Sequence, residues 1–109
     1  MEPGVTLILQ LPAPLGKGTG RHQRFLARAS HLILKAGESE TTFPVEAWEH
    51  LSLPSLEGVA QDISVRIWDR DREGRVRRDP ALKGKAEWRA GDAEVRIKLH
   101  LELSPREYD

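Results

Sequence analysis

The stretch "AEVRIKLHLEL" (residues 93–103) determines the fold class that we predict for this chain. Every odd-numbered residue in it is apolar, and every even-numbered residue is charged or a histidine. Strict alternation over this length is typical of a β-strand with one buried and one solvated face. We therefore predict one strand whose apolar side faces the core, formed by Ala93, Val95, Ile97, Leu99, Leu101 and Leu103.

The segment just before this strand predicts a tight turn. In "KAEWRAGDAEV" (residues 85–95), Gly91 and Asp92 separate two alternating runs. A glycine at the first of two loop residues favours the type II′ turn of a β-hairpin. We expect a hairpin here, with Ala86 and Trp88 facing the core from its first strand.

Two more alternating runs predict strands further upstream. In "DISVRIWD" (residues 62–69), Ile63, Val65 and Ile67 are β-branched and alternate with polar or aromatic residues. Residues 5–11 alternate in the same way and end at Pro12. Ile8 lies on the otherwise polar side of that run, which makes both faces partly apolar and indicates a central strand.

The region between these runs is less regular. Residues 24–35 fit a helix or a strand, and a strand is favoured because the loop "GKGTG" precedes them and the turn "AGESE" follows. A hairpin into "TTFPVEAW" (residues 41–48) follows from that choice. Pro44 begins either a bulge or a short helical turn that places Val45, Trp48 and Leu51 on one face.

These segments predict an all-β chain: one antiparallel β-sandwich of about six to eight strands, with at most one short helical turn. "GRVRR" (residues 74–78) is a candidate for an additional short strand. The domain is predicted to span residues 1–104, and residues 105–109 to form a frayed polar tail.

Composition narrows the functional classes. Seventeen basic residues balance seventeen acidic ones, whereas a nucleic-acid-binding domain usually has a basic excess. There is no cysteine, so disulfides and thiolate sites are excluded. The first residues lack a basic start and carry Glu2, and no apolar run reaches the length of a spanning helix. We expect a cytoplasmic protein.

No residue pattern indicates an enzyme. None of the serines lies in a nucleophile-elbow glycine pattern, and "GKGTG" lacks the spacing and the Lys-Ser/Thr pair of a phosphate-binding loop. The histidines lack the short paired spacings of zinc sites; they are His22, His31, His50 and His100. We predict packing rather than base stacking for the three tryptophans, Trp48, Trp68 and Trp88.

The densest charge cluster is "IWDRDREGRVRRD" (residues 67–79). Asp69 and Asp71 follow the end of a predicted strand, and Asp79 lies on the far side of the loop, so the three carboxylates are candidate ligands for a calcium ion. The alternative is that the acidic and basic residues of the loop simply pair across a solvated turn, and we favour it.

The segment "ISVRIWDRDREGRVRRDPALKGKAEW" (residues 63–88) resembles the later half of a known family. This is the calcium- and phospholipid-binding β-sandwich named for the second conserved region of protein kinase C, here called the C-two domain. The likeness extends over about residues 40–103 and implies a C-two-like sandwich, with an immunoglobulin-like one as the alternative. The family's first calcium loop corresponds to "LGKGTGRHQRF" (residues 15–25), which has no acidic residue. The resemblance therefore implies binding without calcium.

We thus expect a non-enzymatic binding or adaptor module that contacts another protein, or a second copy of itself, through loops or a sheet edge. Calcium-independent binding to an anionic phospholipid surface is the first alternative, and a calcium-binding C-two-like domain is the second. The loop charges nearly cancel, which favours a protein partner over a lipid surface. The candidate contact residues are Lys17, Arg21, Arg70, Arg72, Arg75, Arg77 and Arg78.

Overall fold

The computed structural model describes residues 4–44, 46, 50–53 and 56–109, and its described part is mostly β-structure, as predicted. The predicted positions Val45 and Trp48 lie outside the described residues. The strands are β1 (Val5–Gln10), β2 (Ala29–Ala36), β3 (Ser39–Pro44), β4 (His50–Leu53), β5 (Ala60–Asp69), β6 (Leu82–Arg89), β7 (Glu94–Lys98) and β8 (His100–Leu101). One helix, α1 (Gly20–Arg28), and 3-10 turns at Ala13–Leu15 and Pro105–Tyr108 complete these elements. No helix in these residues has the length and apolarity needed to cross a membrane.

The described strands form two sheets. One has the order β4-β1-β7, and the other has the order β3-β2-β5-β6-β8. β1 is central in its sheet, as the apolar Ile8 predicted. The prediction of purely antiparallel pairing is wrong for β1 and β7, which run parallel. The reason is that the chain changes sheets after β6, so that β7 enters the first sheet in the same direction as β1.

Buried side chains from both sheets belong to one apolar cluster. The alternation predicted for β5 is confirmed, because Ile63, Val65 and Ile67 are almost completely buried. In β6, Trp88 is buried and Ala86 packs against the cluster at its margin. The period of two in the sequence therefore identifies the inward face of these strands correctly.

The segment 93–103 forms two strands rather than the single strand that we predicted. β7 pairs with β1 and β8 pairs with β6, so the chain changes sheets at Leu99. Leu99 stays buried, and its amide donates to the Gln10 carbonyl oxygen over 2.9 Å. Gly84 lies directly under this crossing, since a Cβ on it would be 2.5 Å from Cγ2 of Ile97. The alternation of apolar and polar residues continues through the change of sheet. The sequence pattern therefore does not reveal that the chain changes sheets at Leu99.

The hairpin predicted around Gly91 and Asp92 is also wrong. β6 pairs with β5 and β8, whereas β7 joins the other sheet. The local turn exists, with the Asp92 amide donating to the Arg89 carbonyl oxygen over 2.9 Å, but its strands separate. By contrast, the predicted hairpin between β2 and β3 is confirmed. Gly37 provides its positive φ of 62° as the first of two loop residues.

The strand predicted for residues 24–35 is correct only from Ala29 onward. Residues 24–28 belong to α1, which is longer than the single helical turn that we allowed. Thr19 caps this helix by accepting a hydrogen bond from the His22 amide over 3.1 Å. His22 and Phe25 are buried on its inner side. The cap and the apolar face stabilise a helix that the weak periodicity of the segment did not reveal.

The C-terminus does not fray as predicted. Ser104 caps a 3-10 turn over Pro105–Tyr108, and Tyr108 is completely buried. The ring of Tyr108 meets Phe25 of α1 edge-on, with 5.6 Å between the ring centroids. A single aromatic residue among polar neighbours therefore attaches this segment to the core.

Candidate functional site: the charged loop, the C-terminal turn and an open sheet edge

Asp69, at the end of β5, is the only acidic residue among the buried ones in the described part of the chain. One carboxylate oxygen accepts a hydrogen bond from the Tyr108 hydroxyl over 2.7 Å. The other accepts from Nε of Arg77 over 3.1 Å. Arg77 also donates from Nη2 to a carboxylate oxygen of Glu107 over 3.0 Å. The buried charge is thus matched by a cation and a hydroxyl, as a buried carboxylate requires.

Tyr108 is held in its neutral form by this arrangement. Burial, followed by the hydrogen bond to Asp69, raises the pKa of the Tyr108 hydroxyl far above its ordinary value. Ionisation would place a second negative charge beside the carboxylate of Asp69 without water to solvate it. The hydroxyl therefore acts as a stable donor over the physiological pH range.

Further arginines fasten the C-terminal turn to α1 and to the charged loop. All of them are donors, and two of the residues, Arg21 and Arg72, were predicted to contact a partner. Arg24 and Arg28 donate to the carbonyl oxygens of Tyr108 (3.0 Å) and Glu107 (2.7 Å), Arg72 to that of Arg106 (3.0 Å), and Arg21 to the side chain of Asp109 (2.6 Å). Four arginines near this end of the molecule therefore bind the chain's own C-terminal residues.

Asp71 has a different role from Asp69. Its Oδ1 accepts from the amides of Glu73 (2.9 Å) and Arg75 (3.0 Å), which closes the turn after β5. The hydrogen bond from the Arg75 amide is the main reason that the pKa of Asp71 is lowered. Gly74 completes the turn with a positive φ of 87°. The additional strand predicted at residues 74–78 is reduced to an isolated bridge between Arg70 and Val76.

The remaining predicted site residues are exposed. They are Lys17, Arg70, Arg75, Arg78 and the third candidate calcium ligand, Asp79. Both carboxylate oxygens of Asp69 already accept hydrogen bonds from protein groups. Within the described residues, no group of three or more acidic or histidine side chains is arranged to hold a metal ion. The structure thus does not bring Asp69, Asp71 and Asp79 together as one ligand set.

Strand β3 forms one margin of the five-stranded sheet. In the described part of the chain it pairs with β2 alone, through the register Leu32–Phe43, Ile33–Thr42 and Leu34–Thr41. All of its side chains are exposed except Phe43, which is half-buried. Its outer side therefore presents backbone hydrogen-bonding groups, which an added strand can use.

Sequence reasoning missed the residues that organise the C-terminal end. Tyr108 was assigned to a frayed tail, and Arg24 and Arg28 were not distinguished from other surface charges. Two signals were present: Thr19 immediately before the helix is a typical N-cap, and Ser104-Pro105 is a typical start of a helical turn. The pairing of Tyr108 with Asp69 has no local signal, since the residues are 39 positions apart.

The comparisons with known proteins do not assign this chain to a family. It matches no protein-family model, no curated protein and no solved structure.

Proposed function

We propose that this chain is a non-enzymatic interaction module that binds an extended segment of a partner protein along the open side of β3. The observation that supports this most directly is the combination of length, exposure and unused pairing capacity in that strand. An extended partner segment would add a strand to the sheet, gaining main-chain hydrogen bonds for affinity and side-chain contacts for specificity.

The other strands at the margins of the two sheets are protected in ways that β3 is not. β8 has only two residues, and β4 has four among the residues that the structure describes. β7 presents the alternating charges of Glu94, Arg96 and Lys98 to solvent. Short edges and edge charges are common devices against unwanted strand pairing. β3 has six residues with a single charge, Glu40, and its one proline, Pro44, is at its end, which makes β3 the most receptive of these edges.

The register of the β2–β3 hairpin identifies the groups that a partner would use. Ala36 and Ser39 close the two-residue loop, so they form a hydrogen-bonded pair. Hydrogen-bonded pairs alternate with non-hydrogen-bonded pairs along an antiparallel ladder. The backbone amides and carbonyls of Thr41 and Phe43 therefore also bond to β2. The amides and carbonyls of Glu40 and Thr42 therefore face away from the sheet and are the proposed docking groups.

We further propose that the two sheets form a single β-sandwich domain, C-two-like or immunoglobulin-like. The shared apolar cluster between the sheets supports this proposal. A cytoplasmic location is part of the same proposal and fits the absence of cysteine. In such a domain, β3 lies at the side of one sheet, where a partner strand can approach without disturbing the core.

Replacing Thr42 with proline tests the function. Proline removes one outward-facing amide and no hydrogen bond to β2, so the fold should persist while strand addition weakens. The variant and the parent chain would be compared as baits in extracts of the source cell, with mass spectrometry of the captured proteins and sizing chromatography of the bait. We expect a specific protein, or a dimer of the chain itself, to be lost with Thr42→Pro.

Thr42→Val is the matched control, because it changes the side chain and retains the amide; it should behave like the parent chain. Thr41→Pro is predicted to unfold the hairpin instead, since that amide faces β2. Equal capture and equal self-association by the parent chain and Thr42→Pro would refute the proposal.

A further inference from the structure

The outer face of the five-stranded sheet carries side chains in ordered rows. The strand register places Asp62 beside Glu87 in the first row. Lys35, Ser64 and Lys85 form the second row, in which Glu40 of β3 lies beside Lys35 and pairs with Arg66 over 3.4 Å. Ile33, Arg66, Lys83 and His100 form the third row, and His31 and Trp68 form the fourth. Along the strands the face therefore changes from an acidic row to two mainly basic rows and then to an aromatic row.

Three lysines on this face have no hydrogen bond or ion pair with any described residue: Lys35, Lys83 and Lys85. All three are exposed. Neighbouring strands are about 4.8 Å apart, so the Cα atoms of Lys35 and Lys85, on either side of Ser64, are about 10 Å from each other. These cations contrast with the arginines at the C-terminal end, which the protein's own carboxylates and carbonyls occupy.

The basic rows line two adjoining hollows in the surface. Lys35, Asp62 and Ser64 contribute to one hollow, and Lys83, His100 and Glu102 contribute to the other. Ser64 and Lys85 line both hollows, so the two form one continuous trough over the middle of the sheet.

The aromatic row closes one end of this trough. Trp68 is stacked on His31 with 5.0 Å between ring centroids and 5° between the ring planes. The guanidinium of Arg66 lies 5.3 Å from the centre of the Trp68 ring, and the indole NH donates to the Arg78 carbonyl oxygen over 3.3 Å. Since His31 and Arg66 already engage the ring, a nucleic-acid base would have to displace one of them to stack there.

We infer that this trough, formed by Lys35, Ser64, Arg66, Lys83 and Lys85, binds an acidic, extended segment of a partner protein. Charge complementarity with the unpaired lysines carries the inference. A planar anionic membrane would meet Asp62, Glu87 and Glu102 as well as the lysines, whereas a narrow peptide can lie along Lys83 and Lys85 of β6. The site goes beyond the proposed function, because it uses the face of the sheet and not the edge at β3.

Binding of a fluorescein-labelled octaglutamate peptide at low ionic strength tests this inference by fluorescence anisotropy. The double substitution Lys83→Glu/Lys85→Glu should weaken binding by about tenfold or more. Arg70→Glu/Arg75→Glu is the matched control, because it makes the same change in net charge at two exposed loop arginines. The control should weaken binding by less than about twofold.

Equal losses in the two double variants would show diffuse attraction and overturn the inference. Sedimentation with phosphatidylserine-containing vesicles, lost in Lys83→Glu/Lys85→Glu and unaccompanied by peptide binding, would assign the trough to lipid and also overturn it. Lys83→Gln/Lys85→Gln replaces the reversed-charge variant if circular dichroism shows that the latter is unfolded, with Arg70→Gln/Arg75→Gln as its control. Thr42→Pro should bind octaglutamate normally, so this site and the proposed edge can fail independently.

Discussion

Asp69 and Asp71 are two residues apart, yet the structure uses them in opposite ways. Asp69 is completely buried and holds distant parts of the chain together through Tyr108 and Arg77. Asp71 lies just beyond the end of that strand and accepts from the amides of its own turn. The difference arises because β5 still alternates at Asp69, whose side chain points inward after Ile67, whereas regular pairing has ended at Asp71.

The two aspartates show that a short Asp-x-Asp sequence can have a structural role. An Asp-x-Asp sequence at a strand end fits a calcium loop, because both carboxylates can turn toward one ion. Here the inward position of Asp69 is satisfied by a hydroxyl and a guanidinium. In this chain, the Asp-x-Asp sequence therefore combines one buried structural carboxylate with one turn-closing carboxylate.

The largest expected effect follows from removing the inner carboxylate. Asp69→Ala leaves the Tyr108 hydroxyl and the Arg77 guanidinium without their buried acceptor, so we expect unfolding free energy to fall by about 3–5 kcal/mol. Urea denaturation followed by tryptophan fluorescence measures this loss. Asp71→Ala is the paired comparison and should cost much less, since its partners can turn to water. Similar losses for both variants would mean that the two aspartates are not distinct.

The different roles of Asp69 and Asp71 could be predicted only in part from the sequence. The alternation in "DISVRIWD" correctly placed Ile63, Val65 and Ile67 in the core, because a period of two is a local property of a strand. The same rule, extended by one step, would have put Asp69 inside as well. Its partners could not be foreseen, since Tyr108 reaches it only after the chain has formed three more strands.

The same limit applies to the rest of the fold. Strand content and inward faces were predictable, whereas the pairing of β7 with β1 was not, because alternation does not say which sheet a strand joins. For the candidate site, the exposed Arg70 and Arg75 could be located from their loop. The internal use of Arg72 and Arg77 could not, because an arginine has the same sequence signal whether it meets solvent or its own C-terminus.

The next largest effect concerns Tyr108, the partner of Asp69, and the stability of the fold at alkaline pH. The pKa of Tyr108 is raised in the folded state by burial and by Asp69. A raised pKa contributes stability that is complete below the ordinary tyrosine pKa of about 10 and is lost as the pH rises above it. Tyr108 is the chain's single tyrosine, so phenolate absorbance reports on it alone. We expect that absorbance to appear only together with unfolding.

Tyr108→Phe is the control for this prediction. It loses the hydrogen bond to Asp69, at a cost of about 1.5–3 kcal/mol near neutral pH, but its stability should no longer decline from tyrosine ionisation above pH 10. A parent chain that forms phenolate at the ordinary pKa while still folded would show that the hydroxyl is not held by Asp69.

The smallest effect concerns the outer aspartate at acid pH. The pKa of Asp71 is lowered chiefly by the Arg75 amide, so the folded state favours its charged form. A lowered pKa contributes stability that is present above the unfolded value and is lost as the pH falls through the folded value. Because Asp71 is only half-buried and salt screens its neighbours, this contribution should be slight. Asp71→Asn keeps an accepting oxygen but cannot titrate, so its acid unfolding curve should be flatter than that of the parent chain by a small, salt-dependent amount.

A carboxyl-carbon NMR titration of Asp71 checks the cause directly, since an ordinary pKa there would mean that the turn does not favour the charged form.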